Sequence, residues 1–284
     1  MTAKIIDGKA ISALIRADLK AEIKTMSTIP GLAVVMVGDN AASKVYVRNK
    51  RKACAEVGIY SEMHILPAET TNTELQSLIN NLNVNEHIHG ILVQLPLPGH
   101  LNEDLVISGI NPEKDVDCFH AVNVGKIMIG KPNFLPCTPA GVMSLLKHTG
   151  IDVGGLECVV VGRSNIVGKP MAMLILASNG TVTICHSKTK NLSEVCRRAD
   201  VLVVAVGKAE FITANMVKPG AVVIDVGMNR NAEGKLVGDV DFNSVSQTAS
   251  YITPVPGGVG PMTITSLLRN TVAAAKSKLT QSIE

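Results

Sequence analysis

The first residues that could do chemistry are a tyrosine and a lysine in the run SKVYVRNKRKACAEVGI. Tyr46 and Lys50 are four residues apart, so on a helix they lie on one face, where a ring and an amine can contact one ligand. An ordinary surface contact between the two side chains remains the alternative. The basic run Arg48–Lys52 around them is interpreted as a solvated helix face rather than a nucleic-acid patch, because a helix distributes these charges around its axis.

A glutamine and two aspartates are the next candidates. Gln94 ends the apolar run GILVQLPLPGH, and open α/β sheets bind ligands at the carboxyl ends of their strands, so its amide is predicted to face a ligand. Asp115 and Asp117 stand in PEKDVDCFHAVNVGK without regular apolar spacing. Such a pair suits metal ligands, general acid/base groups, or a carboxylate that grips the paired donors of an aminopyrimidine edge, and the spacing does not choose among them.

A second loop, in YITPVPGGVGPMTITSLL, combines prolines and glycines ahead of a helix. Loops of this composition bring backbone close to a ligand, and simple loop packing is the alternative. Pro256, Gly257 and Gly258 lie at its centre.

The sharpest local pattern is ECVVVGRSNIVGKPMAMLILASNG, which predicts a buried strand, a glycine turn and a helix that begins near Val167 or Gly168. A helix N-terminus at the carboxyl end of a strand presents unpaired N–H groups and a positive dipole end, which favour a phosphate. The glycines match neither GxGxxG nor a P-loop, because Ser164 takes the second glycine position and Pro170 replaces the magnesium-binding Ser or Thr. ATP hydrolysis is therefore disfavoured, and an ordinary strand-to-helix turn remains the alternative.

Residues beside this turn favour a phosphorylated ribose. Arg163 follows the first glycine, and Ser187 and Lys188 follow the next predicted strand. NAD sites carry an acidic residue about twenty positions after the glycines, whereas this chain has TICHSKTK there, with no carboxylate. The sequence therefore predicts NADP as the cofactor.

Short apolar runs that alternate with helix-like segments must position these candidates. Several are continuous Val/Ile/Leu stretches, as expected for parallel strands buried on both faces. The predicted strands are 32–37, 59–66, 90–94, 158–161, 181–185, 201–206 and 221–226. The pattern predicts an α/β protein with mostly parallel sheets, in two halves joined by the irregular segment 111–139, and a last helix over 262–278 that returns to the first half.

Composition limits the classes of function. A chain of 284 residues is long enough for about two domains. Its 46% hydrophobic and 18% charged residues and its net charge of +3 argue against disorder. The aromatic content of 2%, without Trp, argues against a nucleic-acid reader built on stacked rings.

The cysteines and the N-terminus bear on the compartment. The six cysteines show no CxxC and no zinc-ligand spacing, which predicts reduced thiols and no metal site. Asp7 and Lys9 interrupt the apolar region that a signal peptide would need, and no apolar run approaches ~18 residues. A cytoplasmic protein without membrane contact is expected.

Taken together, these motifs resemble the bifunctional methylenetetrahydrofolate dehydrogenase/cyclohydrolases. The similar segments run in order along nearly the whole chain: KIIDGKAI, YVRNKRKAC, GILVQLPLP, KDVDCFH, PCTPAG, VVVGRSNIVGKP, VIDVGMNR, VGDV and YITPVPGGVGPMT. The resemblance implies two α/β domains flanking a cleft. Residues 1–138, joined by the C-terminal helix 262–284, would form a folate-binding catalytic domain, and residues 139–261 a Rossmann-like NADP-binding domain. A homodimer is also implied.

The resemblance implies two activities on tetrahydrofolate derivatives. A hydride passes from 5,10-methylenetetrahydrofolate to NADP, and the methenyl cation is then hydrolysed to 10-formyltetrahydrofolate. By similarity Lys50 is the central catalytic residue, Tyr46 packs along the folate, Gln94 orients the lysine and Asp117 grips the pterin. The matching positions for the loop over the cleft are Pro256, Gly257 and Gly258, and those for NADP are Gly162, Arg163, Ser164, Ser187 and Met228.

One position departs from the family pattern. Cys118 follows Asp117 where the family usually has glycine, in DVDGFH. If that glycine has a positive φ, Cys118 should strain the turn and displace Asp117, whereas an ordinary backbone would tolerate the thiol. The competing functions are an NADP dehydrogenase that releases the methenyl product and a nucleotide-binding module without catalysis.

Overall fold

The computed structural model of the protein describes residues 2–281. Its strands are β1 (Lys4–Ile5), β2 (Gly31–Val37), β3 (Tyr60–Leu66), β4 (Gly90–Val93), β5 (Glu157–Val161), β6 (Thr181–Cys185), β7 (Val201–Val204), β8 (Val222–Asp225), β9 (Asn229–Arg230), β10 (Leu236–Val237) and β11 (Tyr251–Ile252). Its helices are α1 (Gly8–Ile23), α2 (Ala41–Val57), α3 (Asn72–Val84), α4 (Glu103–Gly109), α5 (Ala121–Met128), α6 (Cys137–His148), α7 (Gly168–Ala177), α8 (Leu192–Arg197), α9 (Phe242–Val245) and α10 (Val259–Gln281), with a 3₁₀ turn at Ala214–Met216.

The predicted α/β class is confirmed, and the seven predicted strands are present as β2 to β8. The segment 111–139, which was expected to be irregular, contains α5. Only Asn123 and Ile127 of α5 are buried. Two buried positions in a helix of eight residues are too few to give a recognisable period in the sequence.

The smaller sheet has three parallel strands in the order β3-β2-β4. Every residue of β2 is buried, as its continuous apolar run GLAVVMV requires of a strand covered on both faces. Leu75, Ile79 and Leu82 of α3 pack in one apolar cluster with alternate residues of β2. A central strand buried in this way fixes the edge at which Gln94 emerges.

The larger sheet has six strands in the order β1-β11-β8-β7-β5-β6, and all of its neighbouring pairs are parallel. From β5 the chain passes through α7 to β6 on one side, and it then returns to β7 on the other side of β5. This reversal creates a topological switch point beside the carboxyl end of β5. Open α/β sheets bind their ligands at such points.

The chain divides into two compact units at different residues from those expected. The six-stranded unit consists of Thr138–Thr263 and the N-terminal residues up to Ala13, and the three-stranded unit consists of Leu14–Cys137 and the residues from Ile264 onward. The expected first domain began at residue 1. The N-terminal residues belong to the six-stranded unit instead, because β1 pairs with β11 at the edge of its sheet.

Among residues 2–281, no helix is both long enough and apolar enough to cross a membrane.

Candidate functional site

Helix α2 buries a lysine on its apolar face. The buried positions around it follow helical spacing and comprise Val47, Lys50, Ala53, Cys54 and Val57. Only 8% of the Lys50 surface is exposed. Burying a lysine is unfavourable unless its ammonium or amine finds partners, so this placement points to a function.

The partner of Lys50 is Gln94, which directly follows β4. The backbone N–H of Gln94 donates to the carbonyl of Val35 at 2.8 Å, which continues the parallel ladder beyond β4. Its Nε2 donates to the carbonyl of Leu95 at 2.7 Å. Because a carbonyl accepts only, Oε1 must be the atom that faces the lysine, and it accepts from Lys50 Nζ at 3.0 Å. The amide therefore holds the amine without adding charge.

Tyr46 lies one turn before Lys50 and is half-buried. Burial raises the pKa of its phenol above the ordinary value. The ring therefore stays neutral and presents a flat surface on the same side of α2 as the lysine.

The two aspartates of the DVD run have different surroundings. Asp115 is buried and accepts from the backbone N–H groups of Phe119 and His120, at 3.2 and 2.8 Å, and from Asn123 Nδ2 at 2.9 Å. These bonds fix the loop that leads into α5. Asp115 is therefore an anchor of the loop. No group of three or more His, Cys, Asp or Glu side chains within the described residues is arranged to hold a metal ion.

Asp117 interacts with Lys50 and with the thiol of Cys137. Burial raises the pKa of Asp117, the lysine charge and the thiol hydrogen bond lower it, and the nearby Asp115 raises it. The structure thus brings Lys50, Gln94 and Asp117 to one place in the three-stranded unit. A carboxylate and an amine side by side can bind a ligand that carries both donors and acceptors.

Cys137 is a site residue that the sequence analysis did not select. Burial and the Asp117 carboxylate raise the pKa of its thiol well above the ordinary value, so the thiol keeps its proton. Its Sγ also lies 3.4 Å from the carbonyl oxygen of Val116. Asn270 of α10 donates to the same carbonyl at 2.8 Å, so the C-terminal helix helps to fix the Asp117 loop.

The backbone of Cys118 answers the question raised by the missing glycine. Its φ is 64°, in the left-handed region. The side chain is nevertheless buried, and its Sγ donates to the carbonyl of Phe134 at 3.3 Å. Cys118 therefore occupies a glycine-type conformation, and Asp117 still interacts with Lys50.

We expect Cys118→Gly to be more stable than Cys118→Ala by about 1 kcal/mol. Both variants lose the buried thiol, but only alanine keeps the Cβ that a left-handed residue tolerates poorly. Urea unfolding of the two variants measures the difference. Equal stabilities would show that the turn is not strained.

The glycine turn after β5 has the form that a phosphate site needs. Gly162 has a φ of 137°, and a Cβ on it would overlap the backbone oxygen of Ala205. A Cβ on Gly168 would overlap the oxygen of Gly162. Helix α7 begins at Gly168, as predicted, and lacks a side-chain cap at Val167.

The same turn leaves donors free. Residues Arg163 to Ile166 are exposed, and in the described chain the backbone N–H groups of Asn165 and Ile166 donate to no protein atom. Ser164 Oγ accepts from the N–H groups of Val167 and Gly168, at 3.1 and 3.3 Å, so its hydroxyl shapes the turn. A free pair of amides beside an arginine fits a phosphate group.

The remaining predicted cofactor residues lie at the same edge of the sheet. Ser187 is exposed in a turn after β6 that is closed by the bond from His186 N–H to Thr189 Oγ1 at 2.8 Å. Because β5 and β6 are neighbours, Arg163 and Ser187 follow adjacent strand ends. Met228 follows β8 and is 42% exposed.

The Pro256–Gly258 loop rests on the first turn of α1. Lys9 N–H donates to the carbonyl of Gly257 at 2.9 Å. A Cβ on Gly8 would overlap the backbone oxygen of Gly258, so only glycine fits there. Gly8 is a second residue that the sequence analysis missed, since a lone DGK run does not reveal which loop it touches.

Two further buried carboxylates, Asp225 and Asp239, lie near the carboxyl end of β8 in the larger sheet. Burial raises the pKa of Asp225 to about 7 against an ordinary 3.8, although N–H donors from Asp239, Val240 and Gly227 act in the opposite direction. Between these two values the folded state holds a proton that the unfolded chain releases. The free energy of unfolding should therefore fall as the pH rises from about 4 to about 7, by at most about 1.4 kcal/mol per pH unit from this group.

We expect Asp225→Asn to remove this component of the pH dependence. Urea unfolding at pH 5 and pH 7 gives the slope, and the exposed Asp152→Asn is the matched control. A slope in Asp225→Asn equal to that of the wild type would contradict the assignment.

A glycine turn at a topological switch point is typical of a dinucleotide-binding domain, and a buried lysine held by an amide points to catalysis in the other unit. Residues 6–117 match the catalytic domain of the tetrahydrofolate dehydrogenase/cyclohydrolase family. Residues 136–279 match the NAD(P)-binding domain of the same family. The chain belongs to the tetrahydrofolate dehydrogenase/cyclohydrolase family.

Individual relatives agree with this membership. The bifunctional protein FolD of Acetivibrio thermocellus is 62% identical over 279 residues, which cover 97% of this chain and 98% of that protein. The crystal structure of the Campylobacter jejuni bifunctional enzyme FolD is 52% identical, with a TM-score of 0.95 over 97% of this chain and 99% of that one. The Trypanosoma brucei enzyme, solved with NADP and an inhibitor, is 39% identical, with a TM-score of 0.94 over 98% and 99% of the two chains.

Proposed function

We propose that this protein oxidises 5,10-methylenetetrahydrofolate with NADP and hydrolyses the methenyl product to 10-formyltetrahydrofolate. Family membership supports both activities. The observation that carries the hydrolytic half is the hydrogen bond from the buried Lys50 to Gln94, at 3.0 Å. A nucleotide-binding module without catalysis would have no use for an amine held in this way.

Lys50 is the base of the hydrolytic step. Loss of the hydride leaves a cation delocalised between two nitrogens of the folate, which repels a protonated lysine and favours the neutral amine. The neutral Nζ takes a proton from the water that attacks the methenyl carbon. The bond from this carbon to N5 then breaks, N5 gains a proton, and the carbon stays on N10 as the formyl group. Gln94 keeps the lone pair of the amine in place, because its Oε1 accepts an N–H of the same group.

The other proposed folate contacts lie around the lysine or in the Pro256–Gly258 loop. The carboxylate of Asp117 accepts from the paired N–H donors of the pterin, and the neutral ring of Tyr46 packs along the flat body of the folate. Pro256, Gly257 and Gly258 are proposed to contact the substrate through their backbone. Hydride transfer needs no protein base, so these residues act by positioning.

The six-stranded unit is proposed to bind NADP, which when bound supplies the hydride acceptor. When NADP is bound, the amides after Gly162 would hold its pyrophosphate, and Arg163 and Ser187 would contact its 2′-phosphate. Ser164 shapes this turn, and Met228 is proposed to contact the cofactor. The match to an NAD(P)-binding domain and the NADP in the Trypanosoma brucei relative support this assignment.

The direct test mixes the protein, NADP and methylenetetrahydrofolate and follows NADPH and methenyl absorbance separately. We expect NADPH to form while the methenyl product stays low. NADPH with accumulating methenyl product would support a dehydrogenase without the hydrolytic step. No NADPH at all would contradict both enzymatic functions.

We expect Arg163→Ala to weaken NADP at least about tenfold and NAD by less than about threefold, because the lost guanidinium binds the phosphate that NAD lacks. Titration of each nucleotide against the variant gives the two dissociation constants. Arg198→Ala is the matched control, since Arg198 is exposed and pairs with Glu157 at the opposite end of β5. Equal weakening of NADP and NAD would contradict the 2′-phosphate assignment.

A homodimer in the cytoplasm, without nucleic-acid or membrane partners, completes the proposal. β3 is an edge strand, paired only with β2 among the described strands. It carries exposed apolar side chains, Tyr60 at 51% and Ile65 at 62%, which supports pairing with a second copy. Ile65→Lys should then sediment as a monomer.

All six cysteines are buried and none forms a disulfide, which supports a reducing compartment.

A further inference from the structure

The carboxylate of Asp239 is completely buried, and the proposed function gives it no role. The described residues place no lysine or arginine in an ion pair with it. Its charge is balanced by hydrogen bonds alone. A buried charge is tolerated only where such donors converge on it, so the segments that supply the donors are held firmly in place.

Two segments of the chain supply these donors. Asp239 Oδ2 accepts from the N–H groups of Val206 and Gly207, at 2.6 and 3.0 Å. Oδ1 accepts from Lys208 N–H and from Asn229 Nδ2, both at 2.9 Å. The first three donors belong to the loop after β7, and the fourth belongs to Asn229, the first residue of β9, directly after Met228.

The carboxylate of Asp225 binds the backbone at Asp239. Its Oδ1 accepts from the backbone N–H of Asp239 and its Oδ2 from that of Val240, at 2.9 and 3.0 Å. Gly227 packs directly against Asp239, because a Cβ on Gly227 would overlap the Asp239 carboxyl group. The two aspartates thus clamp the carboxyl ends of β7 and β8 together.

The strand order identifies the half of the dinucleotide that these loops meet, if the proposed NADP site is correct. The pyrophosphate lies at the turn after β5, and Arg163 and Ser187 draw the phosphorylated ribose toward β6. β6 and β7 lie on opposite sides of β5. A dinucleotide that crosses the switch point therefore places its nicotinamide half over the ends of β7 and β8.

We propose that Asp239 is a positioning residue for the nicotinamide half of NADP. It holds the loop 206–208 and the Met228 turn in the arrangement that receives the nicotinamide and its ribose. It has no part in the adenosine half. Its loss should therefore separate the two halves of the cofactor in a binding experiment.

The test compares NADP with adenosine 2′,5′-bisphosphate, which carries only the phosphorylated adenosine half. Asp239→Asn keeps the shape of the side chain but replaces one acceptor oxygen with a donor that faces N–H groups. We expect this variant to weaken NADP at least about tenfold and to bind the bisphosphate within about twofold of the wild type. Hydride transfer should slow, while hydrolysis of supplied methenyltetrahydrofolate without NADP stays unchanged.

Matched variants separate positioning from general damage. Asp241→Asn removes a charge two residues away, where Asp241 caps α9, and should change neither affinity. If Asp239→Asn does not fold, Asn229→Ala removes one of the four bonds and should show the same split at smaller size. Equal weakening of NADP and the bisphosphate, or no weakening of either, would overturn the inference. A wild-type protein that binds neither would instead contradict the proposed NADP site.

Discussion

We expect Lys50→Met to slow the hydrolysis of supplied methenyltetrahydrofolate by about a hundredfold or more. Methionine keeps the length and the apolar stem of the lysine side chain, so it fits among the buried residues on the apolar face of α2. It cannot take a proton from water, and removal of a general base costs about 10² to 10⁴ in rate. NADP affinity should remain nearly intact, because the predicted cofactor residues belong to the other unit.

Lys52→Met is the matched control for this experiment. Lys52 lies on the same helix two residues further on and is exposed. The substitution is chemically identical, and we expect hydrolysis at the wild-type rate. Hydrolysis retained by Lys50→Met, measured from the decay of methenyl absorbance, would remove the lysine from its assigned role.

Gly162→Ala should destabilise the six-stranded unit by about 3 kcal/mol or more and weaken NADP about a hundredfold. The residue has a φ of 137°, which side chains rarely adopt, and its Cβ would overlap the backbone oxygen of Ala205. The turn must move to relieve the overlap. A displacement of about 1 Å in a positioning loop costs about a hundredfold in rate, and we expect the affinity for NADP to fall by a similar factor.

Gly155→Ala separates the overlap from the cost of a positive φ. Gly155 lies in the same unit with a φ of 76°, and a Cβ there meets nothing within 4 Å. It should cost about 1 kcal/mol and leave NADP affinity unchanged. Urea unfolding and NADP titration of both variants test the pair. Similar results for the two glycines would contradict the close approach at Gly162.

The sequence by itself determined the local elements and the types of the site residues. Continuous apolar runs predicted β2 to β8, and the glycine turn predicted the start of α7 at Gly168. These features depend on neighbours within one helix turn or one strand, so they can be read directly. The same reasoning placed Tyr46 and Lys50 on one helix face.

The tertiary structure decided what lies far apart in the chain. Lys50 and Gln94 meet across 44 positions, and the first residues join the six-stranded unit because β1 pairs with β11. It also decided the left-handed backbone of Cys118 and the burial of Asp239 beneath two loops. Such contacts depend on how sheets bring distant segments together and on backbone geometry that a side chain does not reveal. For this reason the sequence predicted the chemistry of the site, and only the fold showed what holds its parts in position.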